Sequence, residues 1–251
     1  MGKLFQTTNL FSLKEAVLEL YGLTGEIKRS QWVKSKLSSL PANSTILDIG
    51  AGQQPYRQYC EHVNYKSQDF AKYKPGEYLG EGLQHSEWDY KELDYECDAT
   101  NIPIASSSFD NVLCTEVLEH VPEPALVLKE CLRLTKPSGL IFVTVPQSSL
   151  PHMLPYCFYS GFTIQFFRHF ASANDSRLLE YQANGGPLDL FAQELYRYLV
   201  YKRKKRIIRY LVAFLLSPLF LMIYFVRRGC YSNEREHNWN LGWHIVLQRN
   251  A

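Results

Sequence analysis

Apolar residues recur at helical spacing at Leu13, Ala16, Val17 and Leu20, and again at Trp32, Val33 and Leu37. With Gly22 and Gly25 as punctuation, residues 12–39 are predicted to form two amphipathic helices. Pro41-Ala-Asn-Ser is a turn, and beyond it the period changes. Thr45–Ile49 is a short, β-branched-rich run that flows into Gly50-Ala51-Gly52, the pattern of a buried strand. Val63–Phe70, Leu93–Cys97, Phe109–Cys114 and Leu140–Val145 predict four more strands. Pro124–Leu134 is a helix and Lys136-Pro-Ser-Gly139 a turn. Leu178–Gln182 and Gly242–Gln248 predict a sixth strand and a final one, with a helix over Leu188–Tyr201. Strands alternating with helical stretches specify an α/β fold around a mainly parallel sheet.

Three stretches break this alternation. Residues 71–92, rich in Gly, Tyr, Lys and Glu, are a long polar excursion, and long loops are usually functional or mobile. Residues 151–170 are dense in aromatics, whose members Tyr156, Phe158, Tyr159 and Phe162 suit a substrate wall or plain core. Tyr210–Val226 holds 17 residues without a charge, flanked by Lys202–Arg206 and Arg227-Arg228. A helix of that length rises about 25 Å, short of the hydrocarbon core, and Pro218 is expected to kink or break it.

Charge sharpens the picture of that third stretch. Residues 202–228 carry eight basic and no acidic side chains, which leaves the rest of the chain at a net −6 although the whole is +2. A net charge this small gives no reason to expect nucleic acid, whereas a basic, apolar segment on an acidic body suits anionic lipid. If Gly242–Gln248 rejoins the sheet of Thr45–Ile49, both ends of the segment lie on one side of any membrane. It must then dip in and return, lie along the interface, or stay buried as a helix pair or oligomer contact. The six cysteines show no CxxC or Cys/His spacing, so neither disulfides nor a metal site is expected. The N-terminus fits neither a signal peptide nor a myristoylation pattern, which points to the cytoplasm and the cytoplasmic face of a membrane.

The candidate chemistry lies just after the strands, where a parallel sheet binds its ligands. Gly50 and Gly52 let the backbone pass close to a ligand, with Asp48 entering the turn. Asp69 follows Gly50 by nineteen residues, the spacing at which a carboxylate meets ribose hydroxyls. Asp98, after the third strand, is placed to accept from an exocyclic amine. A dinucleotide site would need a third glycine where Pro55 stands, so a ligand without pyrophosphate fits better.

Ile46–Gly52 (ILDIGAG), Asp69, CDATNIP, SSSFDNVLCTEVLEHVPEP and LTKPSGLIFVTVP resemble the successive motifs of class I methyltransferases that use S-adenosylmethionine (SAM). The resemblance covers roughly residues 44–146. It implies a Rossmann-like, mainly parallel seven-stranded sheet with helices on both faces and an antiparallel last strand. It also implies SAM as cofactor: Asp48, Gly50, Ala51 and Gly52 at the methionine side, Asp69 and Phe70 at the ribose, Asp98 and Ala99 at the adenine. Cys114, Thr115 and Glu116 would sit beside the methyl group. Gln53 departs from the small residue many members have there. Residues 147–200 resemble a narrower subgroup associated with surface-glycan enzymes. The chain then divides into N-terminal helices (1–40), the SAM-binding core (41–201), a membrane-associating insertion (202–228) and a return to the core (229–251).

Methyl transfer to a hydroxyl needs alignment and a base, for which His120, Glu116, His152 and Tyr156 are the candidates. His120 could equally buttress the following helix, and Glu119 is expected to face water. The acceptor reading is a small glycan or lipid-linked saccharide. The alternatives are a quinone or other prenylated lipid, which calls for a more apolar pocket, and an NAD- or nucleotide-sugar-dependent enzyme on the same sheet.

Overall fold

The computed structural model describes residues 13–76, 87–201, 205–230 and 239–251. The N-terminal helices are α1 (Leu13–Leu20) and α2 (Gly25–Ser38). The strands are β1 (Thr45–Ile49), β2 (Asn64–Asp69), β3 (Tyr95–Glu96), β4 (Phe109–Thr115), β5 (Thr135–Pro146), β6 (Ser176–Asn184) and β7 (Gly242–Arg249). Between them lie α3 (Pro124–Leu134), α4 (Ile164–Ala173), α5 (Pro187–Tyr196) and α6 (Arg206–Cys230). All seven strands form one sheet in the order β3-β2-β1-β4-β5-β7-β6. Pairing is parallel from β3 through β5, and β7 runs antiparallel between β5 and β6. The Rossmann-like sheet with its antiparallel last strand is therefore as the sequence implied.

Alternation along the central strands decides which helix covers which face. Leu113 and Phe142 point to the side where Trp32, Val33 and Leu37 of α2 pack. Val112, Cys114, Ile141, Val143 and Val145 point to the other side, against Leu128 and Cys131 of α3 and Phe167 and Phe170 of α4. Strict period-2 burial on both faces is what a helix-covered parallel sheet demands.

Several boundaries move. The third strand shrinks from Leu93–Cys97 to Tyr95–Glu96. Asp94 is drawn out of it, its carboxylate accepting from the backbone N–H and hydroxyl of Ser67. The turn at 136–139 is absorbed into β5, which begins at Thr135 opposite Phe109 across a register shift. The sixth strand grows to Ser176–Asn184 because it pairs along most of β7. The helix expected over Leu188–Tyr201 ends at Tyr196 and continues as a π-helical turn, Arg197–Tyr201.

The largest correction concerns Tyr210–Val226. It neither breaks at Pro218 nor dips and returns, but lies within one continuous helix of 25 residues. Proline cannot donate to the carbonyl one turn back. The Ser217 hydroxyl donates to the Phe214 carbonyl instead, at 2.7 Å, and satisfies that oxygen. One face of α6 packs through Phe220 and Ile223 on Ala192 of α5, beside Tyr21 and Tyr196. Arg227 anchors its end on Asp189 at 2.8 Å. The opposite face is bare: Phe214 is 75% exposed and Leu215 73%, and Tyr210, Leu211, Met222 and Phe225 continue the same apolar stripe. The helix is long and apolar enough to cross a membrane by length and composition.

Candidate active site

Strand order reverses between β1 and β4, so a crevice opens beyond their carboxyl ends. There a cavity of about 1030 Å³ is lined by residues from every strand end around it. The turn after β1 defines its floor. Gly50 and Gly52 hold φ of +69° and +49°. A Cβ on Gly50 would stand 2.2 Å from Val117 Cγ2, so this position admits only glycine. Ala51 N–H donates to the Gln68 carbonyl at 2.9 Å, which ties the turn to the end of β2.

Two carboxylates frame that turn. Asp69 accepts from Gly52 N–H at 2.9 Å and from Ala71 N–H at 2.8 Å, one bond to each oxygen. Burial raises its pKa while these backbone donors oppose the rise. Asp48 is 1% exposed. One of its oxygens accepts from the Tyr65 hydroxyl at 2.7 Å, while the other has no partner among the described residues. Desolvation, with Asp69 adding to it, pushes Asp48 up to about 7. A buried carboxylate with an orphaned oxygen on a cavity wall is suited to a cation or a hydrogen-bond donor from a ligand.

The remaining expected positions divide. Phe70, Asp98, Ala99, Thr115 and Glu116 line the cavity. Asp98 accepts from the Thr100 N–H and hydroxyl through one oxygen, leaving the other toward solvent. Glu116 sits at φ +53°, a strained position for a non-glycine residue. Its carboxylate is committed on both sides, to the Thr144 hydroxyl at 2.9 Å and to Arg29 at 3.0 Å. Cys114 does not reach the cavity. Strand alternation turns it to the α3 face, fully buried in the same cluster as Cys131.

His120, His152 and Tyr156 meet on the cavity wall. The two imidazoles stand edge to face at 4.6 Å. His120 Nδ1 lies 2.6 Å from the Tyr156 carbonyl, so it braces the 150s loop rather than the helix after it. Tyr156 packs edge-on against Phe70. Phe158 also lines the cavity, whereas Phe162 is core and Tyr159 is tied by its hydroxyl to the Pro122 carbonyl. Glu119, expected in water, is fully buried behind His120, because its short 3-10 turn (Leu118–His120) packs inward.

Other wall residues carry no motif. Arg29 arrives from α2, and Trp88 and Tyr90 from the polar excursion. Trp88 covers Gly52, 3.0 Å from where a Cβ would stand, and touches Tyr73 and Tyr90. Isolated aromatics in an otherwise polar loop were the available signal. Gln193 and Tyr196 of α5 and Arg197 after it close the cavity toward α6.

The sheet order, the glycine turn and the two framing carboxylates define a class I methyltransferase domain. Residues 47–143 match the family model described as a methyltransferase domain, so the chain carries that domain over this stretch. It is 49% identical over 53 residues to the ubiquinone biosynthesis O-methyltransferase of Paracidovorax citrulli, covering 21% of each chain. It is 32% identical over 123 residues to the enzyme of that name from Dechloromonas aromatica, covering 46% of this chain and 49% of that one. The chain thus matches at most about half the length of these relatives. A Galdieria sulphuraria structure described as a sarcosine dimethylglycine methyltransferase superposes with a TM-score of 0.53 at 16% identity, covering 89% of this chain and 85% of that one. That likeness speaks for the fold.

Proposed function

We propose that the protein is a SAM-dependent O-methyltransferase whose acceptor is a hydroxyl on a quinone-type or other prenylated aromatic lipid, taken up at a membrane surface. The observation that carries the cofactor reading is the pair of carboxylates around the glycine turn: Asp69 for ribose and the orphaned oxygen of Asp48 for the amino group. Asp98 and Ala99 would take the adenine. A dinucleotide is disfavoured because only a 3-10 turn, Arg57–Tyr59, comes after β1 where a pyrophosphate-binding helix would start.

Two observations favour a prenylated acceptor over a glycan. The relatives are named for ubiquinone biosynthesis. The cavity wall is predominantly apolar, with Leu18, Leu23, Val121, Pro146, Met153 and Phe158 among its residues. In the reaction, an O–CH₃ bond forms as the S–CH₃ bond breaks, and S-adenosylhomocysteine leaves uncharged. The acceptor proton goes to the histidine pair, since Glu116 is engaged by Arg29 and Thr144. Labelled-methyl transfer decides the acceptor: a polyprenylated phenol in detergent should be methylated, and simple saccharides should not. Turnover with saccharides alone would return the reading to glycans.

The bare face of α6 supports a monotopic membrane contact. A contact is favoured over a crossing because α6 packs through Phe220 and Ile223 on α5 and the chain after it rejoins the sheet as β7. Tyr196, on the cavity wall, rests on Phe220 of α6, so the cavity backs directly onto this helix. Lys202–Arg206, Arg209 and Arg228 add positive charge for anionic headgroups. The double substitution L215E/F225E should abolish cosedimentation with phosphatidylglycerol vesicles while leaving the thermal melt within a few degrees, as surface changes do. Undiminished sedimentation would remove the membrane from this reading.

A further inference from the structure

Two buried polar side chains on the cavity wall keep groups that the fold's own bonding does not use. His244 on β7 is 2% exposed, and Asn184 at the end of β6 is 6% exposed. Neither ring nitrogen of His244, nor Asn184 Oδ1, has a hydrogen-bond partner among the described residues. Bare polar groups in an interior are destabilising, so three in one wall call for a partner from outside the fold.

The sheet brings these groups together. Asn184 pairs with Gly242 and Gln182 with His244, so Asn184 and His244 are diagonal neighbours on adjacent strands. Both side chains meet α2 and line the same cavity. Trp32 of α2 stacks on the His244 ring, with centroids 5.1 Å apart and planes 26° from parallel, and so sets its orientation. Asn184 Nδ2 donates to the Gly25 carbonyl at 2.9 Å. That carbonyl only accepts, so the amide nitrogen faces it and Oδ1 is turned elsewhere. Leu241 N–H, donating to the Asn184 carbonyl at 3.0 Å, pins the backbone beneath.

The balance of donors and acceptors defines the ligand. Burial, with Arg29 and Lys28 adding to it, pushes His244 down to about 3, so the ring is neutral. A neutral imidazole offers one N–H donor and one lone pair, and Asn184 Oδ1 adds a second acceptor. A carboxylate, phosphate or ketone has no proton to give those acceptors. An ammonium group has no lone pair for the N–H and would meet the charges of Arg29 and Lys28. A hydroxyl gives a proton and also accepts one, as this set requires. Its place along the sheet is distinct from that of Glu116, which is expected beside the methyl group. Thr144, the β5 partner of His244, bonds Glu116 at the end of β4, and β7 lies two strands from β4, roughly 10 Å.

We propose that His244 and Asn184 form a recognition subsite for an uncharged hydroxyl of the acceptor, other than the one that is methylated. The inference rests on the methyltransferase reading only for calling that ligand the acceptor. It requires a second hydroxyl and does not require a prenyl chain. The three atoms are closed off from bulk water, so a hydroxyl reaches them only as the wall shifts slightly to admit it. There it meets no competing water, and an analogue lacking the hydroxyl leaves them bare, which is how such a site discriminates.

Nitrogen NMR of the full chain with labelled histidine, loaded with S-adenosylhomocysteine, tests the subsite without turnover, and His244→Phe assigns the signals. The probes are a polyprenylated dihydroxybenzene in detergent, its monohydroxy counterpart, and methyl glucoside. The His244 signals should move with the dihydroxy probe and stay in place with the monohydroxy one. His244→Phe keeps a ring against Trp32, so it should melt at or above the unsubstituted chain and bind S-adenosylhomocysteine equally well. It should bind the dihydroxy probe about 10–100-fold more weakly and the monohydroxy probe unchanged. A merely structural histidine would move both affinities or neither, and either result overturns the subsite. Signals unmoved by millimolar dihydroxy probe and glucoside also overturn it. If His244→Phe fails to fold, Asn184→Ser is read by the same ratio. Movement with glucoside alone would keep the subsite and count against the prenylated acceptor instead.

Discussion

Replacing Asp69 with alanine is expected to remove measurable binding of S-adenosylhomocysteine, at least a 100-fold loss by calorimetry. Both carboxylate oxygens already hold backbone donors, Gly52 N–H and Ala71 N–H. Each oxygen keeps a second lone pair for a ribose hydroxyl. Alanine therefore removes the ribose acceptors and also releases the turn that shapes the floor of the cavity. Hydrogen bonds to a charged group contribute about 1.5–3 kcal/mol each, so two lost ribose bonds alone amount to roughly 3–6 kcal/mol. Asp69→Asn should fall between the two, because it keeps one acceptor oxygen and the side-chain shape. Unchanged affinity in the alanine variant would refute the ribose assignment.

The substitution Asp48→Asn should separate stability from binding. Asp48 is held near 7 by desolvation, against 3.8 in the unfolded chain. Its folded value is raised, so the folded state favours the protonated form. Stability is greatest below the unfolded value, declines as pH rises from about 4 to 7, and levels off above that. About three pKa units correspond to stability on the order of 4 kcal/mol lost by pH 8. Asparagine keeps an acceptor for the Tyr65 hydroxyl and carries no charge to desolvate. The cofactor-free variant should therefore melt roughly 5–10 °C above the unsubstituted chain at pH 8 and nearly with it at pH 4. The same change should weaken S-adenosylhomocysteine by about 10–100-fold, the worth of one charge-assisted bond to its amino group. In the unsubstituted chain that affinity should fall as pH drops below 7, where Asp48 takes up its proton. Equal melting temperatures at pH 8 would mean the buried charge is solvated in a way the geometry does not provide for.

The parts of the site that are contiguous in the chain were readable from it. In a parallel sheet each strand runs directly into a turn at the edge where ligands bind, so Gly50, Gly52, Asp69 and Asp98, all of which line the cavity, could be placed by position after apolar runs. The apolar run at the end of the chain was legible in the same way: Gly242–Gln248 returned to the sheet as β7. The pattern also held a wrong turn that alternation could have corrected. Cys114 lies between Leu113 and Thr115 on β4, and only the Thr115 side of that alternation opens on the cavity.

Residues that arrive from elsewhere in the chain left no local mark. Arg29 reaches Glu116 from a helix 87 residues earlier, and Trp88 reaches the glycine turn from a loop whose sequence reads as merely polar. Glu119 and His120 are adjacent letters, yet one is buried with no hydrogen-bond partner among the described residues and the other walls the cavity, because a 3-10 turn sends successive side chains in different directions. His152, 32 residues on, joins them only through the path of the 150s loop. Pro218 announced a break that a single hydroxyl from Ser217 cancels. The sequence by itself determined the sheet, its cofactor-facing turns and the presence of an apolar, basic-flanked segment, because those depend on local period and on the residues at each strand's carboxyl end. Only the tertiary structure decided that this segment is one helix with a bare face, and that two histidines and a buried carboxylate share one point. Such convergence depends on packing between distant elements, for which no local period exists.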